Sequence, residues 1–276
     1  MLACGGTVVP DPPPPPAPHD YQVAFQYIHQ ASVWHSSTAQ VTQPGSYVGD
    51  PAYTHDGSLL VAETVADMND PAHTRELIFV TTNGATTRTI PFLPRSFGVR
   101  SDGLRLALVD VNGALATYDI DGTLGPTLAT TVGRAFYAPD DTTLVFERDG
   151  QIVTMKDDGT NEDVIASGHD PSFDWKGTHV VYVDGDRMNV DVIDRSTHAI
   201  QTLFTAPEYE YIWTPVLTPE GADVVFILGT NGGPFSIMRD ELASGITDVL
   251  VKNIPLFAYQ TSPSFELSVA PDVTSK

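Results

Sequence analysis

One seven-residue phrase returns along this chain roughly every forty residues, and that constrains the fold more than any other feature. It reads Pro-Ala-Tyr-Thr-His-Asp-Gly at 51–57, Ala-Phe-Tyr-Ala-Pro-Asp-Asp at 135–141, Pro-Ser-Phe-Asp-Trp-Lys-Gly at 171–177 and Pro-Val-Leu-Thr-Pro-Glu-Gly at 215–221. Val99–Gly103 is a weaker copy and Pro263-Ser264-Phe265 a truncated one. Each full copy is a short apolar piece, a polar turn and then a hydrophobic run. Repeats of this length built from short strands specify a solenoid, a propeller or an array.

The unit opened by Pro51 resolves into four strands. A short strand covers roughly 51–54, and Ser58–Glu63 makes the second after the His55-Asp56-Gly57 turn. Glu76–Thr81 is the third, closed by Asn83-Gly84, a hairpin signal, and Thr86–Pro91 is the fourth. The unit opened at 135 repeats the order with Thr143–Phe146, Gln151–Met155 and Asp163–Ile165. Four antiparallel strands per repeat is the plan of a propeller blade.

Copies begin near 51, 97, 135, 171, 215 and 263, which leaves residues 20–50 without an opening phrase. That region still reads as strand, in Tyr21–Tyr27 and Ala31–His35. The two ends therefore complete one blade together, with the segment 263–270 as inner strand and the N-terminal segment as the outer three. Closing the ring this way removes the open edges that a row of sheets would expose. The expectation is an all-β, six-bladed propeller over 20–276.

The chain carries 35 acidic side chains against 14 basic ones, a formal charge of −21. Such a surface repels phosphate backbones and disfavours docking on anionic lipid through basic residues, so nucleic acid is not an expected partner. No apolar run is long enough to span a bilayer as a helix. The single cysteine, Cys4, excludes an internal disulfide.

Cys4 sits in Met1-Leu2-Ala3-Cys4-Gly5-Gly6. This resembles the end of a bacterial lipoprotein signal peptide, where a small residue precedes the cysteine that becomes lipidated. Residues 1–4 then read as the remnant of that signal. Residues 5–19 contain Pro10-Asp11-Pro12-Pro13-Pro14-Pro15-Pro16-Ala17-Pro18. Proline has no N–H and a fixed φ, so this run reads as an extended stalk rising about 3.1 Å per residue. Membrane association is expected only through a lipid anchor at Cys4.

The phrase at Pro51–Gly57 and Pro171–Gly177, together with Ile152–Asn161, resembles the TolB-like six-bladed propellers, in which a Pro-Ala-Trp-Ser-Pro-Asp-Gly phrase precedes an apolar strand. The likeness runs over nearly all of 50–265. It implies a binding scaffold in the periplasm or at the cell surface, often within a larger envelope assembly. It does not carry particular partners across, because a separate N-terminal domain like that of TolB is not expected here. The repeating aromatic or large apolar residues (Tyr53, Tyr137, Phe173, Leu217, Phe265) are expected to pack between blades.

Binding residues are expected where the chain approaches each inner strand. These are Asp50, Arg95, Arg134, His169, Asp170, Trp213 and Thr261, which differ from copy to copy as a recognition surface requires. The bland alternative for each arginine is a structural ion pair with one of the many nearby acids. The eight histidines show no His-x-x-x-His spacing, and no metal site or cofactor is expected. Asp67–Asp70 and Asp184-Gly185-Asp186 have calcium-like oxygens but no complete twelve-residue loop, and acidic turn residues have local hydrogen-bonding reasons of their own. No Gly-x-Ser-x-Gly elbow, phosphate loop or dinucleotide fingerprint occurs. The sequence reading is thus a monomeric, non-catalytic, exported scaffold that binds a protein or envelope component. The alternative is a metal-dependent lyase or hydrolase acting on an acidic saccharide.

Overall fold

The computed structural model describes residues 20–27, 30–42, 49–54, 57–65, 75–81, 85–90, 94–230, 233–254 and 267–271. Cys4, the proline-rich 5–19 segment, Thr261 and Pro263–Phe265 lie outside the described residues. Among the described residues there are 24 strands and no helix.

The first three strands are β1 (Tyr21–Tyr27), β2 (Gln30–His35) and β3 (Gln40–Thr42). Blade 1 is β4 (Gly49–Tyr53), β5 (Leu59–Val65), β6 (Arg75–Thr81) and β7 (Thr86–Ile90). Blade 2 is β8 (Ser96–Val99), β9 (Arg105–Val109), β10 (Leu115–Asp119) and β11 (Leu124–Ala129). Blade 3 is β12 (Val132–Tyr137), β13 (Thr143–Arg148), β14 (Gln151–Lys156) and β15 (Asp163–Ser167). Blade 4 is β16 (His169–Phe173), β17 (His179–Val183), β18 (Asn189–Asp194) and β19 (Ile200–Thr205). Blade 5 is β20 (Tyr211–Leu217), β21 (Asp223–Gly229), β22 (Phe235–Glu241) and β23 (Ile246–Ile254), and β24 (Leu267–Pro271) comes last. Six antiparallel four-stranded sheets result, and the sixth has the order β24-β1-β2-β3.

The ring therefore closes as expected. The C-terminal strand pairs with the N-terminal one in the register Tyr21↔Pro271, Val23↔Val269 and Phe25↔Leu267. The described part of that closing strand is Leu267–Pro271.

The first strand of each blade touches the first strands of both neighbours, so these six strands surround the axis. The core lies between blades. Phe97, Leu106 and Leu108 of blade 2 pack on Val61, Leu77 and Phe79 of blade 1. Tyr21, Val23 and Phe25 pack on Trp213, Val225 and Phe235 across the closing seam. The phrase's apolar residue belongs to these seams, as expected: Tyr137 and Leu217 are buried in them, and Tyr53 and Phe173 pack against them. Gly98 has a steric cause, since a Cβ there would lie 2.6 Å from the Ala135 carbonyl oxygen of the next inner strand.

Much of the acidic excess is used locally. Asp110 accepts the N–H groups of Asn112 and Ala114, each at 2.8 Å, and Asp184 accepts those of Met188 and Asn189 at 2.8 and 3.0 Å. Asp140, Asp158, Asp174 and Asp194 do the same in other turns. These are Asx turns, in which a carboxylate stands in for a backbone acceptor. Asp184 is thus a turn former, and Asp67–Asp70 lies outside the described residues.

Candidate functional site

The inner strands share one register, which the turn after each of them defines. The N–H groups of Thr54, Arg100, Ala138, Asp174 and Thr218 each bond the carbonyl five residues on. Four residues before those positions stand Asp50, Ser96, Arg134, Asp170 and Thr214. They form one polar level near the upper mouth, where the inner strands begin. Four of these strands carry a β-bulge there, between Gly49 and Ala52, Val132 and Ala135, His169 and Ser172, and Trp213 and Val216. The phrase proline (Pro51, Pro171, Pro215) falls in three of these bulges, where a missing N–H breaks no ladder bond. Within two of these bulges Asp170 and Thr214 have φ values of 50° and 46°.

Asp170 is the hub of this level. Its Oδ2 accepts from Arg187 Nη1 at 2.8 Å and from the Thr214 N–H at 3.3 Å, and its Oδ1 lies 3.8 Å from Arg134 Nε. Arg134 comes from blade 3, Arg187 from the β17–β18 turn of blade 4 and Thr214 from blade 5, so one carboxylate ties three blades together. The Asp170 and Arg134 side chains are 8% and 11% exposed, which takes the pair out of reach of solvent screening. Burial alone would raise the Asp170 carboxyl, but Arg134 and Arg187 outweigh it and hold the group below the usual carboxylate range.

A second pair adjoins the hub. Glu147 on β13 accepts the Asp170 N–H at 3.2 Å and meets His169 Nδ1 at 2.9 Å. The hydrogen bond to Glu147 raises the His169 imidazole above its ordinary value, against a smaller opposing effect of burial.

The structure sorts the residues expected from sequence. Arg134 and Asp170 meet, and His169 stands beside them on Glu147. Asp50 shares their level, with its side chain outside the described set. Arg95 is exposed, and its N–H bonds the Val109 carbonyl at 2.7 Å. Trp213 is a core residue, buried in the blade 5–6 seam with its ring edge-on to Phe235 at 5.1 Å. Glu147, Arg187, Ser96 and Thr214 were not legible from the phrase. The first two come from second strands and hairpin turns, and the last two have neutral side chains. Among the described residues, no three His, Cys, Asp or Glu side chains are placed to share a metal ion.

The lower mouth, where the inner strands end, differs in chemistry. A cavity of about 130 Å³ lies on the axis there, and all six inner strands contribute to its wall. Its apolar lining includes Tyr53, Phe136, Phe173, Trp175, Val216 and Val269. The four aromatic rings are each half-buried. Tyr53 and Phe173 therefore serve twice, packing between blades and facing the mouth. Two polar contacts tie this end together: Ser172 Oγ donates to the Pro215 carbonyl at 2.9 Å, and the Tyr53 N–H donates to Ser268 Oγ at 2.9 Å. A separate groove between blades 3 and 4 holds Lys156 and Arg195, whose donors are committed to Thr142, Thr143 and the Gly177 carbonyl.

The fold is that of the TolB-like six-bladed propellers. Over 87% of this chain and 93% of the other, it superposes on a putative TolB from Agrobacterium tumefaciens with a TM-score of 0.62 at 13% identity. A chain of a nidogen/laminin complex matches with a TM-score of 0.66 at 12% identity, over 91% of this chain and 98% of that one. An oligogalacturonate lyase in complex with manganese matches with a TM-score of 0.52 at 14% identity, over 81% and 70%. At such identities the likeness is one of fold. No family model matches the sequence, and no curated protein matches it significantly.

Proposed function

We propose that this chain is an exported, lipid-anchored propeller that binds a protein or another component of a bacterial envelope and does no chemistry. The observation that carries the reading is the lower mouth. Aromatic and aliphatic side chains from different blades converge on one axial cavity with room for a single ring-sized group. A half-buried aromatic cup recognises by burial, and such rings dominate the energetics of protein interfaces. At the upper mouth the Asp170 carboxylate is already paired with Arg134 and Arg187. Expected partners are proteins or envelope components, and a monomer suffices because every inner strand already has both neighbours.

The test is affinity capture from envelope fractions by the full chain and by Trp175→Ala. A partner held by the wild type, released by the variant and retained in EDTA supports the reading. An EDTA-sensitive turnover of an acidic saccharide that His169→Ala abolishes would replace it with the lyase or hydrolase alternative.

A further inference from the structure

We infer that the lower mouth takes a cationic side chain, an arginine on a basic segment of the partner protein, among the rings of Tyr53, Phe136 and Trp175. The inference rests on the scaffold reading and names the chemistry of its partner. Three observations carry it. First, the wall offers aromatic faces from separate blades. Tyr53 comes from β4, Phe136 from β12 and Trp175 from the turn after β16, and all three line the one axial cavity. An aromatic face carries a negative quadrupole, so rings around one space attract a cation placed among them. The fourth ring shows this chemistry within the chain: the Arg195 guanidinium lies over Phe173, 5.0 Å from its centroid. That face of Phe173 is taken, and the other three rings are the ones assigned to the occupant.

Second, the rim has the opposite charge. The inner turns 100–104, 138–142, 174–178 and 218–222 carry Asp102, Asp140, Asp141, Asp174 and Glu220 against Arg100 and Lys176. Asp102 already engages Arg100 through two bonds, at 2.9 and 2.7 Å. The hairpin turns 119–123, 156–160 and 194–199 behind them add five aspartates against Lys156 and Arg195. Asp174 is the only charged side chain among the described residues that line the cavity. Its carboxylate accepts the N–H groups of Thr178 and His179 at 2.7 and 2.9 Å, which pins it at the wall. It therefore acts through its field rather than through a direct bond to the occupant. A concave mouth ringed by one sign of charge concentrates the opposite ion, so an acidic occupant is repelled.

Third, size and shape select the cation. A cavity of about 130 Å³ holds the end of one side chain and not a folded element, so the occupant enters from a loop or an extended segment. A guanidinium is flat, stacks on aromatic faces and is more weakly hydrated than an ammonium. It therefore loses less than a lysine on entering a wall made of rings, and its charge is still answered by the rim.

The test is ¹⁹F NMR of the full chain labelled with 5-fluorotryptophan, with the Trp175 signal assigned by Trp175→Phe. The probe is the capped peptide acetyl-Gly-Ser-Arg-Ser-Gly-amide. Its control carries citrulline, which keeps the shape of arginine and lacks the charge. The arginine peptide should move the Trp175 signal saturably and leave that of the core residue Trp213 in place. The citrulline peptide should bind at least about tenfold more weakly. Tyr53→Leu should weaken the arginine peptide about tenfold, with an unmoved Trp213 signal reporting an intact fold. Raising the salt from about 0.01 to about 0.1 M shortens the Debye length from about 30 to about 10 Å and should weaken it severalfold. Equal shifts from the two peptides, or no saturable shift from either, overturn the inference. A partner captured through Trp175 that excess arginine peptide does not displace would leave the scaffold reading standing and overturn this one. A bound arginine peptide with no partner captured would overturn the scaffold reading and leave the preference of the mouth for a cation in place.

Discussion

Replacing Asp170 by asparagine isolates the charge at the hub of the upper mouth. Asparagine has the same shape and tolerates the left-handed φ of 50° as well as aspartate does, so backbone strain is left out of the comparison. What changes is that Arg134 and Arg187 lose their carboxylate while remaining in place. Removing one partner of a buried ion pair costs about 3–5 kcal/mol, because an uncompensated charge stays buried. Arg187 is 27% exposed and Arg134 sits at 3.8 Å, which puts the expectation at the low end, about 3 kcal/mol. For a domain of this size that is a fall in Tm of roughly 6–12 °C. The assay is equilibrium urea unfolding at pH 7 followed by circular dichroism. Adding Arg134→Met should recover at least about 1 kcal/mol relative to the sum of the single variants, since the two groups are in one network. A Asp170→Asn variant within about 0.5 kcal/mol of wild type, or an additive cycle, would refute the view that this carboxylate holds three blades together.

Two further outcomes test neighbouring parts of the structure. The raised His169 imidazole contributes stability that is fully present below its unfolded value near 6.5 and lost as pH rises through the folded value. The stability gap between wild type and His169→Gln should therefore narrow from pH 5.5 to 8.5, and a constant or widening gap would contradict the Glu147 pairing. Gly98→Ala places a methyl 2.6 Å and 2.8 Å from the backbone of Ala135 and Phe136 and should cost about 2–3 kcal/mol in urea unfolding. Gly185→Ala meets nothing within 4 Å and should be neutral, so equal effects at the two positions would refute the close approach of inner strands.

The architecture was legible because the phrase encodes a turn, and turn chemistry is local. Asp-Gly and Pro-Asp pairs fix where each inner strand stops, whatever the rest of the blade does. The candidate site was legible only in part. Residues before the phrase fall on two successive levels, and a bulge turns one level toward the hub while leaving Trp213 in a seam. Glu147 and Arg187 join Asp170 from 23 and 17 positions away, through hairpins whose lengths no motif marks. Trp175 did carry a signal. It occupies a turn position held by His55, Ser101, Pro139 and Pro219 in other copies, and a large aromatic in a polar turn suggests a surface role.

Everything at the lower mouth depends on the two ends of the chain sharing one sheet, since Tyr53 and Val269 reach the same cavity only in a closed ring. The most direct measurement is a cross-link between Ala24→Cys and Ser268→Cys, which are register partners on β1 and β24, in a chain with Cys4→Ser. Oxidation of the folded protein should join them quantitatively. With a loop spanning nearly the whole chain, the oxidised form should exceed the reduced form in stability by about 5 kcal/mol. The offset pair Ala24→Cys and Ala270→Cys, about 7–8 Å apart on the same face, should not join. Failure of the first pair to cross-link under native conditions, or equal cross-linking of both, would contradict the closed ring.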